Sequence, residues 1–477
     1  MTVQYDMGIL GGGPGGYMTA LRARQLGLTV ILAEQERIGG VCLNRGCIPT
    51  KSLLADLDGL RWAKRAVQDG IIPALPEIHF DRMVDRKDTI VNGMVSNLEK
   101  LLRAGGVEII QGRASVPEPG VMTMDDGRQF TARSLVLATG SRQTKLPISG
   151  IDLPGIVGTR EILSMRQVPQ RLVIVGGGII GQEFAAIFAP LGSKVTILEA
   201  LDRILSEVDA EMAKRFASLL PGQRITVETG ARIDAFQQSG SSLRVIYEKK
   251  SKEKTIDADL VLIAAGRAPN TAGLGLDALG IRTEKGSVLV DRTLRTSTEG
   301  IYAVGDVTGR KMLAHVAYYH GEIAAENIAG MDTVAEDRVV PSCVFTHPQI
   351  AWAGLTEEQA IASDLSFRTS MFSFSSNGKA QAMGDSRGWV KLLEDSTSGS
   401  LIGAHILGPE ASELIAELTL AVRMRLSAKD LADTIHAHPT LSEALRETAL
   451  GLLGGSLHAA SRVKTFGIPQ QVSEKRN

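Results

Sequence analysis

The chain has 477 residues, with 52 Lys and Arg against 53 Asp and Glu, a formal net charge of -1, 51 glycines and only 4% aromatics. At about 150 residues per domain, that length predicts about three folded units, each able to bury its own core. The balanced charge offers no field to attract nucleic acid or an anionic membrane surface. No apolar run reaches the ~18 residues of a membrane span, and residues 1–5 lack the basic and then apolar pattern of a signal peptide. The expectation is therefore a soluble, cytoplasmic α/β protein.

In chain order, the first signal is GILGGGPGGY (residues 8–17), a short apolar strand running into G-x-G-x-x-G at Gly11, Gly13 and Gly16. A helical stretch and the β-branched run LTVILAE follow, ending at Glu34, 18 residues after the third glycine. Next comes GGVCLNRGCIPTKSLL (residues 39–54), then SLVLATG, a strand ending at Thr139 and Gly140. At an offset of 165 residues the first pattern recurs: VIVGGGIIGQ carries Gly176, Gly178 and Gly181, and SKVTILEA ends at Glu199, again 18 residues on. Such glycines allow a tight turn and let backbone N–H groups and a helix N-terminus approach a pyrophosphate, while the acid ending the second strand accepts ribose hydroxyls. One copy is weak testimony; two complete copies in register predict two dinucleotide sites.

The strands DLVLIAAGR and IYAVGD end at Gly266–Arg267 and Gly305–Asp306. Ligands of open α/β sheets sit beyond the carboxyl ends of strands, which assigns Thr139, Gly140, Gly266 and Asp306 to cofactor binding. Asp306 reads equally as a turn or cap, because helical sequence starts near Ala314. After about Pro341 the character changes to β-rich stretches (GWVKLLE, SLIGAHILG), long helices over 410–426, the segment HAHPTLSE (residues 436–443), and a solvated tail, QVSEKRN. The fold expected is two Rossmann-like dinucleotide-binding domains plus a separate C-terminal α+β domain. The divisions expected are 1–147 (first dinucleotide-binding domain, first part), 148–270 (second dinucleotide-binding domain), 271–340 (returning to the first) and 341–477 (C-terminal domain).

The three cysteines, Cys42, Cys47 and Cys343, are too few for a disulfide framework. In regular helix, residues five apart have Cα atoms about 8 to 9 Å apart, beyond the ~7 Å limit of a disulfide. If Cys42 and Cys47 are bonded, the helix must break between them, and Gly46 and Pro49 supply the irregularity. A structural disulfide, a zinc site and a redox dithiol beside a flavin compete here. No second cysteine pair or suitable histidine spacing completes a zinc site, so no metal is expected, and the redox reading suits the neighbouring nucleotide fold. In HAHPTLSE, Pro439 reads as a first helical residue and Thr440-x-x-Glu443 as a capping box. The alternative is that Glu443 orients His438 as an acid/base toward a thiol.

Taken together, GGGPGGY, GGVCLNRGCIPTKSLL, GGGIIGQEF, IAAGRAPN, IYAVGD, LTEEQA and HAHPTLSE resemble the dihydrolipoyl dehydrogenases, a branch of the flavin-dependent pyridine nucleotide-disulfide oxidoreductases. The resemblance implies a homodimer that oxidises protein-bound dihydrolipoamide, with FAD on the first glycine motif and NAD on the second. Its partner would be a lipoylated protein of a 2-oxo acid dehydrogenase complex or of the glycine cleavage system. It further implies that Cys42 is the interchange thiol and Cys47 the flavin-facing thiolate. Lys51 would pair with Glu183 beside the flavin, Asp306 would bind the ribityl chain, and His438, oriented by Glu443, would be the acid/base given by the opposite subunit. A related FAD-dependent disulfide reductase with another thiol substrate is the alternative. Glutathione reductases carry arginines where Ala200 and Leu201 follow Glu199; mercuric reductases add a C-terminal cysteine pair; soluble transhydrogenases lack the Cys42–Cys47 pair. The chain departs from its family in LAHVAYYHGE, where Val316 and His320 replace the usual residues, which is expected to alter charge near the flavin-facing helix.

Overall fold

The structure is a computed structural model that describes residues 4–460 and 463–467. The chain divides into two compact units, 1–170 with 235–243 and 258–337, and 171–234 with 244–257 and 338–477.

In the first unit, parallel strands Val107–Gln111, Val30–Glu34, Tyr5–Leu10 and Gln129–Leu137 lie side by side in that order, and Ile301–Ala303 joins the far side of Gln129–Leu137. The near-continuous apolar runs of these strands follow from burial on both faces. Side chains alternate between them: Ile9, Leu32 and Val136 enter one core with Ala324, while Leu10, Ile31 and Leu135 enter another with Ile301. Each fully buried aliphatic contributes about 1.5 to 3 kcal/mol. Helix Pro14–Gln25 lies against helix Ala314–Ile328 so closely that a Cβ on Gly321 would stand 2.7 Å from the Gly15 carbonyl oxygen. Glycine is what permits that approach. Ala314 starts its helix with Leu313 before it, so Asp306, in a short 3-10 turn over Gly305–Thr308, caps nothing there.

In the second unit, strands Arg171–Val175, Lys194–Glu199 and Ile225–Thr229 are parallel neighbours, with Ile197 registered on both Ile174 and Val227. A separate antiparallel sheet takes the order Ser342–Val344, Gln349–Gly354, Leu401–Gly408, Trp389–Asp395, Phe367–Ser373, Lys464–Phe466. Ile415 and Leu418 of helix Ala411–Arg423 and Leu445 of helix Glu443–Leu452 seal its core with Leu392 and Ile406. The tail QVSEKRN lies outside the described residues. Among the described residues, no helix is long and apolar enough to cross a membrane.

Candidate active site

The repeat read from sequence is also a repeat of backbone geometry. Gly11 and Gly176 have φ of 105° and 109°, a region closed to most side chains, and Gly13 and Gly178 share φ -75°, ψ -171° at the starts of their helices. A Cβ on Gly16 would collide with the Gly11 carbonyl oxygen, and one on Gly181 with that of Gly176. Neither helix N-terminus has a side-chain cap or an acid in its first turn. The free N–H groups and the positive end of the helix dipole therefore fit an anionic pyrophosphate in both places. The acids are held identically. Glu34 accepts the N–H groups of Gly12 and Glu36, both at 2.7 Å, and Glu199 those of Gly177 and Leu201 at 2.6 and 2.8 Å.

Around the strand ends of the first unit, Thr139 Oγ1 donates to the Asn270 carbonyl at 2.7 Å, Gly140 has φ 69°, and Gly266 (φ 106°) accepts the Thr144 N–H at 3.1 Å. Ser141 links two charges: its hydroxyl donates to Asp306 and accepts Arg267 Nε at 2.7 Å. Burial pulls the Arg267 guanidinium below its ordinary value, with Asp306 opposing that shift.

Cys42 and Cys47 form a disulfide with Cα atoms 4.7 Å apart. The approach comes from a break between two helices. Gly40–Arg45 ends at Gly46 (φ -142°, ψ -108°) and Cys47 begins the next helix, which runs to Gln68. A Cβ at Gly46 would sit 3.0 Å from the Val41 carbonyl oxygen. Pro49, expected to share in the irregularity, sits instead inside the first turn of the second helix, where its missing N–H costs nothing. Arg45, between the cysteines, pairs with Glu36, which also takes Arg160 at 2.6 Å. Lys51 lies one turn beyond Cys47, and Glu183, on helix Ile179–Phe188, is buried and accepts the Phe345 N–H at 3.2 Å.

His438 Nδ1 and Glu443 Oε1 are 2.9 Å apart, and the other carboxylate oxygen accepts the Thr440 N–H at 2.9 Å. Desolvation would raise the Glu443 pKa; the Thr440 N–H and the His438 ring outweigh it and hold the carboxyl below its ordinary value. With Nδ1 engaged and the side chain 78% exposed, Nε2 is open to exchange a proton with a bound thiol. The expected capping box is only half formed. Thr440 Oγ1 donates to the Ala437 carbonyl, and the helix starts at Glu443 rather than at Pro439, so the Glu443 carboxylate is shared between a turn and an imidazole. His436 is enclosed, with Nε2 2.9 Å from Glu417 and Nδ1 2.9 Å from the Thr434 carbonyl.

His458, 71% exposed, has Nδ1 2.9 Å from Glu447, one helical turn after Glu443. His320 is fully buried, 3.5 Å from Asp337, and burial holds its imidazole below the ordinary value against the pull of that carboxylate. Cys343 is half-buried and outside the disulfide, and no metal-binding group of three or more His, Cys, Asp or Glu occurs among the described residues.

Comparison with known sequences matches residues 5–321 to the pyridine nucleotide-disulphide oxidoreductase family and residues 340–449 to the dimerisation domain of the same family. Similar relatives include the dihydrolipoyl dehydrogenases of Bacillus subtilis (36% identical, covering 96% of this chain and 100% of that one) and Geobacillus stearothermophilus (38% identical, 95% and 97%). Among solved structures, the chain is similar to the HOCl-induced flavoprotein disulfide reductase RclA from Escherichia coli, with a TM-score of 0.84 and 30% identity over 94% of this chain and 99% of that one. It is also similar to LpdA from Mycobacterium tuberculosis, with a TM-score of 0.85, 30% identity and the same coverage.

Proposed function

Because this chain belongs to the pyridine nucleotide-disulphide oxidoreductase family, we propose that it acts as a homodimeric dihydrolipoyl dehydrogenase, passing electrons from protein-bound dihydrolipoamide to NAD+. The observation that carries the reading is one chain holding a Cys42–Cys47 disulfide behind a dinucleotide motif and an imidazole held by a carboxylate. Identity of 36 to 38% with dihydrolipoyl dehydrogenases over nearly the whole chain supports it.

The uncapped helix at Gly13, with Gly11, Gly16 and Glu34, would hold the FAD diphosphate and ribose, with Thr139, Gly140, Gly266 and Asp306 at the strand ends. The helix at Gly178, with Gly176, Gly181 and Glu199, would hold NAD. Lys51 would pair with Glu183. Bound there, flavin and nicotinamide supply the hydride chemistry. The chain's own residues do the thiol work. His438 Nε2 takes a proton from one substrate thiol, and the thiolate attacks Cys42 while the Cys42–Cys47 bond breaks and Cys47 leaves as thiolate. The second substrate sulfur then displaces Cys42, its proton passing to the departing Cys42, so two electrons reside on the pair as a Cys42 thiol and a Cys47 thiolate and the substrate leaves as a cyclic disulfide. His438 would serve the partner subunit's site. Residues 1–147 and 271–340 would form the FAD domain, 148–270 the NAD domain and 341–477 the interface, in a cytoplasmic enzyme served by a lipoylated protein of a 2-oxo acid dehydrogenase complex or of the glycine cleavage system.

Likeness to RclA favours one second reading, a disulfide reductase of another substrate. NADH absorbance with lipoamide, dihydrolipoamide and glutathione disulfide as substrates decides between them. Fast turnover of the first two supports the proposal, whereas turnover of glutathione disulfide alone rejects it.

A further inference from the structure

The segment LTEEQA (residues 355–360) takes no part in the thiol chemistry, yet it ties a buried ionic cluster to the second glycine motif. Thr356 and Gln359 cap helix Glu357–Ala362 reciprocally, which fixes its first turn. From that turn Glu357 takes Lys391 Nζ at 2.6 Å. Lys391 is 1% exposed, and its Nζ is also 2.9 Å from both oxygens of Asp209 and 3.5 Å from Glu211. Asp209, wholly buried, caps helix Ala210–Leu219 through the Met212 N–H and accepts the Glu357 N–H at 3.2 Å. Glu358 accepts Arg203 Nη1 at 2.5 Å and the Ala210 N–H at 3.3 Å, and Arg203 also donates to the Ser206 carbonyl at 2.9 Å.

Residues 200–209 are thus held at Arg203 and at Asp209, and between these points the stretch rests on the glycine motif. Leu205, in the left-handed region at φ 50°, donates its N–H to the Gly177 carbonyl at 3.1 Å. A Cβ on Gly177 would stand 2.6 Å from an Ile204 methyl and 3.2 Å from the Glu199 carboxylate. Burial alone would neutralise these ions. Attraction from neighbouring groups, His405 and Lys391 first for Asp209, outweighs it, keeping Asp209 and Glu358 below and Lys391 above their ordinary values, while burial holds His405, its ring 3.0 Å from the Leu355 carbonyl, below its own. A buried ion cluster adds little net stability over apolar packing; what it adds is a single geometry.

We propose that Lys391, Asp209, Glu357, Glu358 and Arg203 are positioning residues for the nicotinamide dinucleotide, clamping residues 200–209 so that Glu199 and the helix start at Gly178 keep one fixed spacing. The inference rests on the reading of the second glycine motif as the NAD site.

The test titrates NADH into the FAD-loaded enzyme by fluorescence, in wild type, Arg203→Met, Glu358→Gln and Lys391→Met. The first two sites are partly exposed, so these variants decide the matter even if Lys391→Met misfolds. Weakening of about tenfold is expected for the partly exposed pair and up to about 100-fold for Lys391→Met, the range that small misplacements cost. KM for NAD+ should rise with kcat nearly constant, and reduction of the enzyme by dihydrolipoamide without NAD+ should keep its rate. Combining Arg203→Glu with Glu358→Arg should recover binding relative to either change alone. Unchanged NADH affinity in correctly folded variants, or a loss confined to kcat, overturns the positioning role alone. Wild type that does not bind NADH overturns the reading of the second motif, and the positioning role with it.

Discussion

Replacing Glu443 by Gln separates a helix-capping carboxylate from one that serves the imidazole. The carboxylate accepts two bonds, each 2.9 Å, from the His438 ring and the Thr440 N–H. Glutamine keeps an oxygen for Thr440 and loses the charge facing Nδ1. A hydrogen bond to a charged group contributes about 1.5 to 3 kcal/mol, which is about 10- to 150-fold in rate if it is made fully in the transition state. His438 is largely exposed, so water screens the pair and the lower end, about tenfold, is expected. His438→Gln removes the proton acceptor itself and should cost about 10² to 10⁴-fold. The assay is dihydrolipoamide-dependent NAD+ reduction, with NADH oxidation by an artificial acceptor that draws electrons straight from the flavin as the control that bypasses the dithiol. A pure capping role gives a stability loss of ~1 kcal/mol with an unchanged dihydrolipoamide rate. That pattern, or near-normal turnover in His438→Gln, refutes the acid/base assignment.

Glu199 should repel the 2'-phosphate of NADP, with no arginine at Ala200 or Leu201 to offset it, so NADH should be used far better than NADPH; equal kcat/KM for the two rejects this role. With Cys47 as the flavin-facing thiolate, Cys42→Ser should show a long-wavelength charge-transfer band without reductant and Cys47→Ser should not; the opposite pattern reverses the roles. Desolvation would raise Asp209, Glu211 and Glu358, yet their cationic and hydrogen-bonding neighbours hold all three below the ordinary carboxylate range. Carboxyls depressed in the folded state give stability that is complete above their unfolded values and lost as pH falls through the folded ones. The thermal midpoint should therefore drop as pH falls below about 4, and Lys391→Met should flatten that drop. A midpoint independent of pH between 5 and 3 contradicts it.

What could be read from the sequence is what neighbours in the chain enforce. The two dinucleotide motifs are legible because a positive φ at Gly11 and Gly176, and the absence of a Cβ at Gly16 and Gly181, are demands made by the next few residues. The break between Cys42 and Cys47 is legible for the same reason, since helix geometry over five residues forbids the bond unless Gly46 bends the chain. The last helix starts at Glu443 and not at Pro439, and the Thr440 hydroxyl donates to the Ala437 carbonyl three residues back in the turn before it. Long-range pairings had no sequence signal. Lys391 meets Asp209 across 182 positions, and Asp306 meets Ser141 across 165. Exposed His458 meets Glu447 from beyond the end of the helix, 11 positions on. Local backbone constraints are written residue by residue, whereas which buried charge finds which partner is decided only when the sheets close and desolvation makes an unpaired ion too costly to keep.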